Sequence, residues 1–284
     1  MAEVTQALQG LLASAGQLLT AGGVPEARRE AIRIWSDLHR MSVAATITTR
    51  GESVESELAV AYLAAVGRRA AGEPLAYVTG WTGFRRIELA TDARALIPRP
   101  ETEGLVELAL ARARQGCAAD IGTGSGAIAL ALADEGRFDS VVAVELAPEA
   151  LALARSNGVR LGLAVEWLEG DLVAPLAGRR FDLIVSNPPY LTDAEYAELD
   201  PSVRDYEPRE ALPSGSDGLT ATRRLLDEGR AVMARDGWMA LEVDSRRAAT
   251  TAALAEGFGW REVTVLDDLF GRARYVLARQ GRNE

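Results

Sequence analysis

Residues 117–136 read CAADIGTGSGAIALALADEG, where a short apolar run passes through three glycines into a stretch rich in alanine and leucine. This pattern predicts a buried strand, a tight turn and a helix. Gly122, Gly124 and Gly126 allow the backbone to turn sharply and to approach a ligand, towards which the helix directs its first N–H groups. The spacing leaves the kind of nucleotide-like ligand open, because Gly122, Gly124 and Ala127 also satisfy the looser dinucleotide-binding pattern.

Short apolar strands and helices alternate from this turn to the end of the chain. The predicted strands read CAADIG, SVVAVEL, AVEWLEGD, FDLIVSN and WMALEVD, with two more in REVTVLDDLFGRARYVLAR. The predicted helices read SGAIALALADEG, APEALALARSNG, GLTATRRLLDEGRAVMARDG and RRAATTAALAEGFG. This alternation predicts an α/β domain with a mostly parallel sheet covered by helices on both faces. The final hairpin is expected to add an antiparallel strand at the edge.

The chain before this domain has a different pattern. Apolar residues recur at helical spacing through residues 1–73, which predicts a small helical domain. Residues 74–98 contain the breakers Gly80 and Gly83 between short β-like runs, and this predicts a β-hairpin linker. We therefore predict three parts: a helical domain at 1–73, the linker at 74–98 and the α/β domain at 99–284.

Composition is that of a soluble globular protein, with 48% hydrophobic and 25% charged residues among 284. The formal net charge of −10 opposes general affinity for a phosphate backbone, so we expect no direct nucleic-acid partner. No apolar run approaches the ~20 residues that span a bilayer, and the first residues lack the basic start of a signal peptide. We expect a cytoplasmic protein with no membrane partner.

The residue inventory excludes several chemistries. All 31 basic residues are Arg, so Schiff-base catalysis and a P-loop lysine are ruled out. Cys117 is the single cysteine, which excludes an internal disulfide and a multi-cysteine metal site. His39 is the single histidine and is expected on a helix surface. We expect no metal, and function must therefore depend on backbone groups, carboxylates, amides and a cofactor.

Two acids follow the strands next in order after the glycine turn. Glu145 ends the second predicted strand about 20 residues beyond the turn, where an acid can accept both hydroxyls of a ribose. Asp171 ends the third and is placed to meet an adenine edge. Ligands of open α/β sheets bind at the carboxyl ends of strands, beside the switch point. The turn and the two acids together predict adenosine binding.

The fourth predicted strand ends in NPPY, residues 187–190, and is expected beside the first strand. Pro188 and Pro189 make a stiff corner that donates no backbone hydrogen bond. The Asn187 side-chain oxygen and the Pro188 carbonyl can accept both hydrogens of a planar –NH₂ group, with Tyr190 against its plane. Such a nitrogen is a poor nucleophile, so this corner predicts methyl transfer by positioning and by preorganised acceptors.

DIGTGSG, the acid after the second strand and NPPY together resemble the class I S-adenosylmethionine-dependent methyltransferases. Within that class, GEPLAYVTG at 72–80, LIPRPETE at 96–103, FDLIVSNPPYL at 181–191 and EPREALPSGSDGL at 207–219 are similar to the HemK/PrmC family. The resemblance covers about 72–279. It implies a Rossmann-like sheet with an antiparallel last strand. It also implies N5-methylation of the glutamine in the Gly-Gly-Gln motif of peptide chain release factors, which act in translation termination.

The resemblance also implies roles for individual residues. S-adenosylmethionine, which leaves as S-adenosylhomocysteine, would be held by Asp120, Gly122, Thr123, Gly124, Ser125, Gly126, Glu145, Asp171, Leu172 and Asn187. The catalytic residues would be Asn187, Pro188 and Tyr190, and the glutamine would be bound by Asn187, Pro188, Pro189 and Tyr190. Leu172 stands where relatives often carry an aromatic residue, and Thr102 and Glu103 are expected to face the site. The predicted partner is a release factor, docked by the helical domain of a monomeric enzyme.

Three other functions are compatible with parts of this pattern. A DNA or RNA adenine methyltransferase would also use NPPY, but the acidic balance and the lack of a recognisable target-recognition domain oppose it. An NAD-dependent oxidoreductase would use the glycine turn but not NPPY. A non-catalytic binding module would bind the cofactor without turnover on any release factor.

Overall fold

The computed structural model describes residues 6–281. Positions 1–5 of the predicted helical domain and positions 282–284 of the predicted α/β domain therefore lie outside the described residues. Two compact units are present. One runs through Trp81 and also includes Asp200–Tyr206, whereas the other comprises Thr82–Leu199 and the chain from Glu207 onward.

The elements are numbered here along the chain. The strands are β1 Gln6–Ala7, β2 Ser53–Val54, β3 Trp81–Phe84, β4 Ile87–Ala90, β5 Cys117–Ile121, β6 Ser140–Glu145, β7 Glu166–Glu169, β8 Phe181–Ser186, β9 Met233–Glu242, β10 Arg261–Asp267 and β11 Ala273–Arg279. The helices are α1 Leu8–Ala21, α2 Ala27–Leu38, α3 Val43–Thr48, α4 Ser56–Ala70, α5 Leu75–Thr79, α6 Pro100–Arg112, α7 Ala127–Glu135, α8 Pro148–Leu161, α9 Asp193–Ala197, α10 Pro201–Arg204, α11 Thr220–Glu228 and α12 Ala248–Gly257.

The first unit is helical, and its apolar stripes meet in one core. Leu11 and Ile34 are among the side chains buried there, and Tyr62 donates its hydroxyl to the Ala31 carbonyl at 2.9 Å. His39 stacks on the Trp35 ring at a centroid distance of 3.9 Å. It is therefore an ordinary packed residue at the end of α2. Among the described residues, no helix combines the length and apolar character needed to cross a bilayer.

A sheet of seven strands forms the second unit, in the order β10-β11-β9-β8-β5-β6-β7. The five strands from β5 to β9 pair in parallel, and β11 pairs antiparallel with β9. The predicted mostly parallel sheet with an antiparallel last strand is confirmed. The final hairpin adds an antiparallel strand at the edge as expected: β11 pairs with β9, and β10 is the edge strand.

Helices cover both faces of this sheet. One apolar cluster includes Leu105 of α6 and Leu130 of α7, packed with Leu183 of β8. The cluster on the other face includes Leu225 of α11 and Trp260. Because β8 lies directly beside β5, the chain reverses its direction of winding there. The carboxyl ends of β5, β6 and β8 therefore meet at one edge, where the predicted site residues lie.

Two predicted elements differ from the structure. The helix expected over residues 218–237 ends at Glu228, and β9 begins at Met233 because residues 233–242 pair with β8 and β11. This pairing with distant strands overrides the local helical spacing. The β-like part of the 74–98 linker is also narrower than expected, because Leu75–Thr79 is helical and only β3 and β4 pair as a hairpin.

Candidate active site

The glycine turn connects β5 to α7, as the sequence predicts. Gly122, Gly124 and Gly126 have φ angles of 72°, 56° and 88°, in the left-handed region that favours glycine. A Cβ at Gly126 would lie 3.1 Å from both Leu130 and Trp167 side chains. A Cβ at Gly122 would meet no protein atom within 4 Å. Gly126 is thus required by packing as well as by its φ angle, whereas Gly122 borders open space.

Asp120 lies at the end of β5 and is fully buried beneath this turn. Its Oδ2 accepts hydrogen bonds from the Thr123 hydroxyl at 2.5 Å and from the Ala129 N–H at 3.0 Å. Burial raises the pKa of the Asp120 carboxyl to about 7, against the opposing effect of those two hydrogen bonds. Asp120 therefore connects the glycine turn to the first turn of α7 through these two hydrogen bonds.

Glu145 ends β6, the strand on the other side of β5 from β8. Its Oε2 accepts from the Gly124 N–H at 2.8 Å, and its Oε1 accepts from the Ala147 N–H at 3.0 Å. Each carboxylate oxygen has a further acceptor position. The carboxylate is therefore held in one orientation beside the turn while it can still accept hydroxyl groups.

A cavity of about 870 Å³ opens at this edge of the sheet. The predicted site residues that line it are Gly122, Thr123, Ser125, Glu145, Asp171, Leu172, Asn187 and Pro189. The predicted residues set back from its wall are Asp120, Gly124, Gly126, Pro188 and Tyr190. Thr102 lies on the wall, whereas Glu103 does not. The structure thus brings residues from the ends of β5, β6, β7 and β8 and from α6 to one cavity.

Asp171 and Leu172 lie beyond the end of β7, which stops two residues before Asp171. The Asp171 Oδ2 accepts from Arg224 Nη1 at 2.8 Å, and Arg224 also lines the cavity. Leu172 adopts a φ of 48°. Asp171 is therefore on the cavity wall, but one of its oxygens is paired with an arginine of α11.

The NPPY corner follows β8 directly. The Ser186 hydroxyl donates to the Ile121 carbonyl at 2.6 Å, which joins the ends of β8 and β5. The half-buried Asn187 donates from Nδ2 to the Thr102 hydroxyl oxygen at 3.2 Å. Burial is the largest cause that raises the pKa of Tyr190 to about 12, so its phenol stays protonated at neutral pH. These contacts fix the side-chain amide of Asn187 at the cavity wall.

Two further groups were not predicted: Glu207 holds the loop before α6, and Asn157 joins the end of β4 to the glycine turn. The buried Glu207 accepts from Arg99 Nη2 at 2.6 Å and from the Ile97 N–H at 3.2 Å. Asn157 accepts from the Ala90 N–H at 2.8 Å and donates to the Ser125 carbonyl at 3.0 Å. Glu207 and Arg99 lie in the quoted EPRE and IPRPETE motifs, but neither motif shows by itself that the two pair.

Comparison with known proteins identifies both parts of the chain. Residues 101–199 match the family model described as methyltransferase small domain, and residues 10–80 match the PrmC N-terminal domain. The release factor glutamine methyltransferase of Deinococcus radiodurans is 41% identical over 276 residues, which cover 96% of this chain and 98% of that protein. This chain belongs to the release factor glutamine methyltransferase family. The family member from Moorella thermoacetica is 39% identical over 95% of this chain and 98% of its own.

Solved structures of other methyltransferases share the fold of the family. A methyltransferase from Pyrococcus furiosus has a TM-score of 0.53 at 20% identity, covering 68% of this chain and 89% of that one. A 16S rRNA N2 G1207 methyltransferase from T. thermophilus, in complex with AdoMet and guanosine, has a TM-score of 0.51 at 20% identity, covering 71% and 50%. At this level of identity the likeness concerns the fold alone.

Sequence reasoning missed one contact of Thr102 and two residues at this edge of the sheet. Thr102 was expected to face the site, but its bond to Asn187 joins residues 85 positions apart. Arg224 and Glu242 were missed altogether, because an arginine in a helix and a glutamate at the end of a strand are common surface residues. In the structure Arg224 lines the cavity, and Glu242 is only 1% exposed.

Proposed function

We propose that this protein transfers a methyl group from S-adenosylmethionine to the side-chain amide nitrogen of the glutamine in the Gly-Gly-Gln motif of peptide chain release factors. Its family membership supports the reaction and the class of substrate. The observation that carries the proposal within the molecule is the orientation of Asn187. Its Nδ2 is bonded to Thr102, so its Oδ1 is the atom left to accept a hydrogen bond from a ligand.

The cavity fits an adenosine-bearing cofactor. Its volume of about 870 Å³ lies near the upper end of the range for small-molecule sites, enough for a cofactor and part of a substrate. Gly122 borders open space on its wall, so a ligand can approach the backbone there. Glu145 is oriented by two backbone N–H groups and is suited to a ribose. When bound, S-adenosylmethionine supplies an electrophilic methyl group on a sulfonium centre.

The residues of the corner are suited to a carboxamide. An amide nitrogen is a weak nucleophile because its lone pair is delocalised over the carbonyl group. An acceptor that bonds its N–H fixes the direction of the nitrogen and favours the positive charge that develops as the methyl group is transferred. We assign this role to Asn187 Oδ1, which lies on the cavity wall together with the glutamine-binding Pro189. We further propose the Pro188 carbonyl as second acceptor and Tyr190 against the plane of the amide, although both residues are set back from that wall.

No Lys is present in the sequence, and within residues 6–281 no cluster of three or more His, Cys, Asp or Glu side chains is arranged to hold a metal. We propose that acceleration arises mainly from orientation, which can contribute up to roughly 7–11 kcal/mol. We further propose that the helical domain docks the release factor, that a linker connects it to the methyltransferase domain, and that the protein acts as a cytoplasmic monomer.

The test is mass spectrometry of a recombinant release factor incubated with the protein and S-adenosylmethionine. We expect a one-methyl increment on the peptide that contains Gly-Gly-Gln. The same increment on DNA or ribosomal RNA, with none on the release factor, would contradict the proposal.

Asn187→Ala tests the role of the corner. It removes the acceptor, and we expect turnover to fall by about 10²–10³ while affinity for S-adenosylmethionine changes little, as for loss of a preorganised polar group. Asp139→Ala is the matched control, because Asp139 is an exposed acid at the amino end of β6, away from the cavity. Near-normal turnover of Asn187→Ala would refute the mechanism.

A further inference from the structure

Glu242 is a buried acid at the end of β9, the strand that pairs with β8 on the side of Asn187. The parallel register of β8 and β9 pairs Ser186 with Leu241, so the residues that follow, Asn187 and Glu242, lie side by side. Glu242 is 1% exposed, although an unpaired carboxylate is costly to bury. Glu242 is the last residue of β9, which places it at the carboxyl edge of the sheet.

A chain of hydrogen bonds joins Glu242 to Asn187 through Thr102. The Thr102 hydroxyl donates to Glu242 Oε2 at 2.8 Å, and the Thr102 hydroxyl oxygen accepts from Asn187 Nδ2 at 3.2 Å. A hydroxyl has a single hydrogen to donate. While Glu242 takes that hydrogen, Thr102 can only accept from Asn187. The Asn187 amide must then face Thr102 with its NH₂ group and the cavity with its oxygen.

We infer that Glu242 is a positioning residue that acts through Thr102 to keep the Asn187 oxygen directed towards the substrate amide. The NH₂ and the oxygen of the Asn187 amide are nearly equal in size, so without this hydrogen bond nothing in their shape would select one orientation over the other. A flipped Asn187 would present its NH₂ to the NH₂ of the substrate, so that two donors would meet. The inference rests on the proposed function, because it concerns the same acceptor.

The orientation is coupled to the charge of Glu242. Burial raises the pKa of its carboxyl to about 7, opposed by the Thr102 hydrogen bond. The other charged and titratable groups that face it are Arg274, Glu101, Arg99, Tyr190 and Tyr275. The arginines lower the pKa of Glu242, and Glu101 raises it.

Protonation removes the constraint on the direction of these hydrogen bonds, because a carboxylic acid can donate as well as accept. A protonated Glu242 can donate to Thr102, whose hydroxyl then donates to the Asn187 oxygen and stabilises the flipped amide. The constraint that selects the productive orientation is therefore present above the pKa of Glu242 and is lost as the pH falls through about 7.

The experiment measures kcat for release-factor methylation between pH 5.5 and 8.5, about 1.5 units to either side of the Glu242 pKa of about 7. The variants are Glu242→Gln, Thr102→Val and Thr102→Ser, and calorimetry of S-adenosylmethionine binding gives a readout independent of turnover. Glu107→Gln is the matched control, since Glu107 is an exposed acid of α6 that pairs with Arg85 and not with Glu242.

We expect kcat of the wild type and of Glu107→Gln to fall at acidic pH with an apparent pKa near 7. Glu242→Gln should lose this limb and have a reduced plateau, because a glutamine can hold Thr102 in either direction at every pH. Thr102→Val should lose about ten- to hundredfold in kcat, and Thr102→Ser should restore most of it. Affinity for S-adenosylmethionine should remain near that of the wild type in all four variants.

An acidic limb that is unchanged in Glu242→Gln, with normal methylation by the wild type, would overturn the inference and leave the proposed function intact. Thr102→Val with wild-type kcat would also overturn it, and this variant decides the matter if Glu242→Gln does not fold. Absence of methylation by the wild type would instead refute the proposed function.

Discussion

Gly122→Ala separates the strain of a left-handed backbone from a direct effect on cofactor binding. Gly122 has a φ of 72°, and a Cβ there would meet no protein atom within 4 Å. The substitution therefore adds strain without a clash inside the protein. A left-handed non-glycine residue costs about 1–2 kcal/mol, and the lower entropy of the unfolded chain offsets about 0.4–1 kcal/mol of it. The net loss of about 1 kcal/mol corresponds to a fall of about 2–4 °C in the melting temperature.

Gly162→Ala is a matched control in the same unit. Gly162 follows α8 with a φ of 66°, and a Cβ there would also meet nothing within 4 Å. Its backbone strain is therefore similar, but it lies outside the cavity lining. Both variants should lose a similar amount of stability.

The two variants should differ in binding. The Gly122 Cβ would project into the cavity, so calorimetry should show affinity for S-adenosylmethionine reduced by at least about tenfold, or 1.4 kcal/mol. Gly162→Ala should bind as the wild type does. If Gly122→Ala binds as tightly as Gly162→Ala, the ligand does not approach the turn, and the assignment of this cavity to the cofactor is refuted.

Two acids allow further tests. Glu145→Gln leaves one side-chain oxygen to serve two backbone N–H groups, so affinity for S-adenosylmethionine should fall by about 1–3 kcal/mol in calorimetry; an unchanged affinity would contradict the ribose assignment. For Asp120, the folded pKa of about 7 exceeds the unfolded value of about 3.9, so the native state holds the proton more tightly. The unfolding free energy should fall as pH rises from about 4 to 7, by on the order of 4 kcal/mol from this group. Asp120→Asn should remove that slope, whereas urea midpoints with the same pH dependence as the wild type would show that Asp120 titrates normally.

The predictable parts of the site are those in which a residue restricts the backbone of its own segment of the chain. The glycines of 122–126 and the prolines of 188–189 restrict the backbone whatever surrounds them, and the alternation of short strands and helices shows where a parallel sheet ends its strands. Glu145 could be placed by its distance from the turn. These local signals predicted the sheet, the turn and the corner.

Contacts between distant residues could not be predicted in this way. Thr102 and Glu242 are 140 positions apart, and Asp171 and Arg224 are 53 apart. The place of β11 between β9 and β10 depends on pairing with β9, which is distant in the chain. The grouping of Asp200–Tyr206 with the helical unit likewise depends on contacts between distant segments.

The amino-acid sequence by itself determined the fold class, the glycine turn and the acceptor at Asn187, because these follow from backbone restriction and periodicity within short segments. Only the tertiary structure decided which way the Asn187 amide faces. That direction depends on a hydroxyl hydrogen that Thr102 donates to the buried Glu242 carboxylate, and only the packing of α6 against β9 brings the two groups within hydrogen-bond distance.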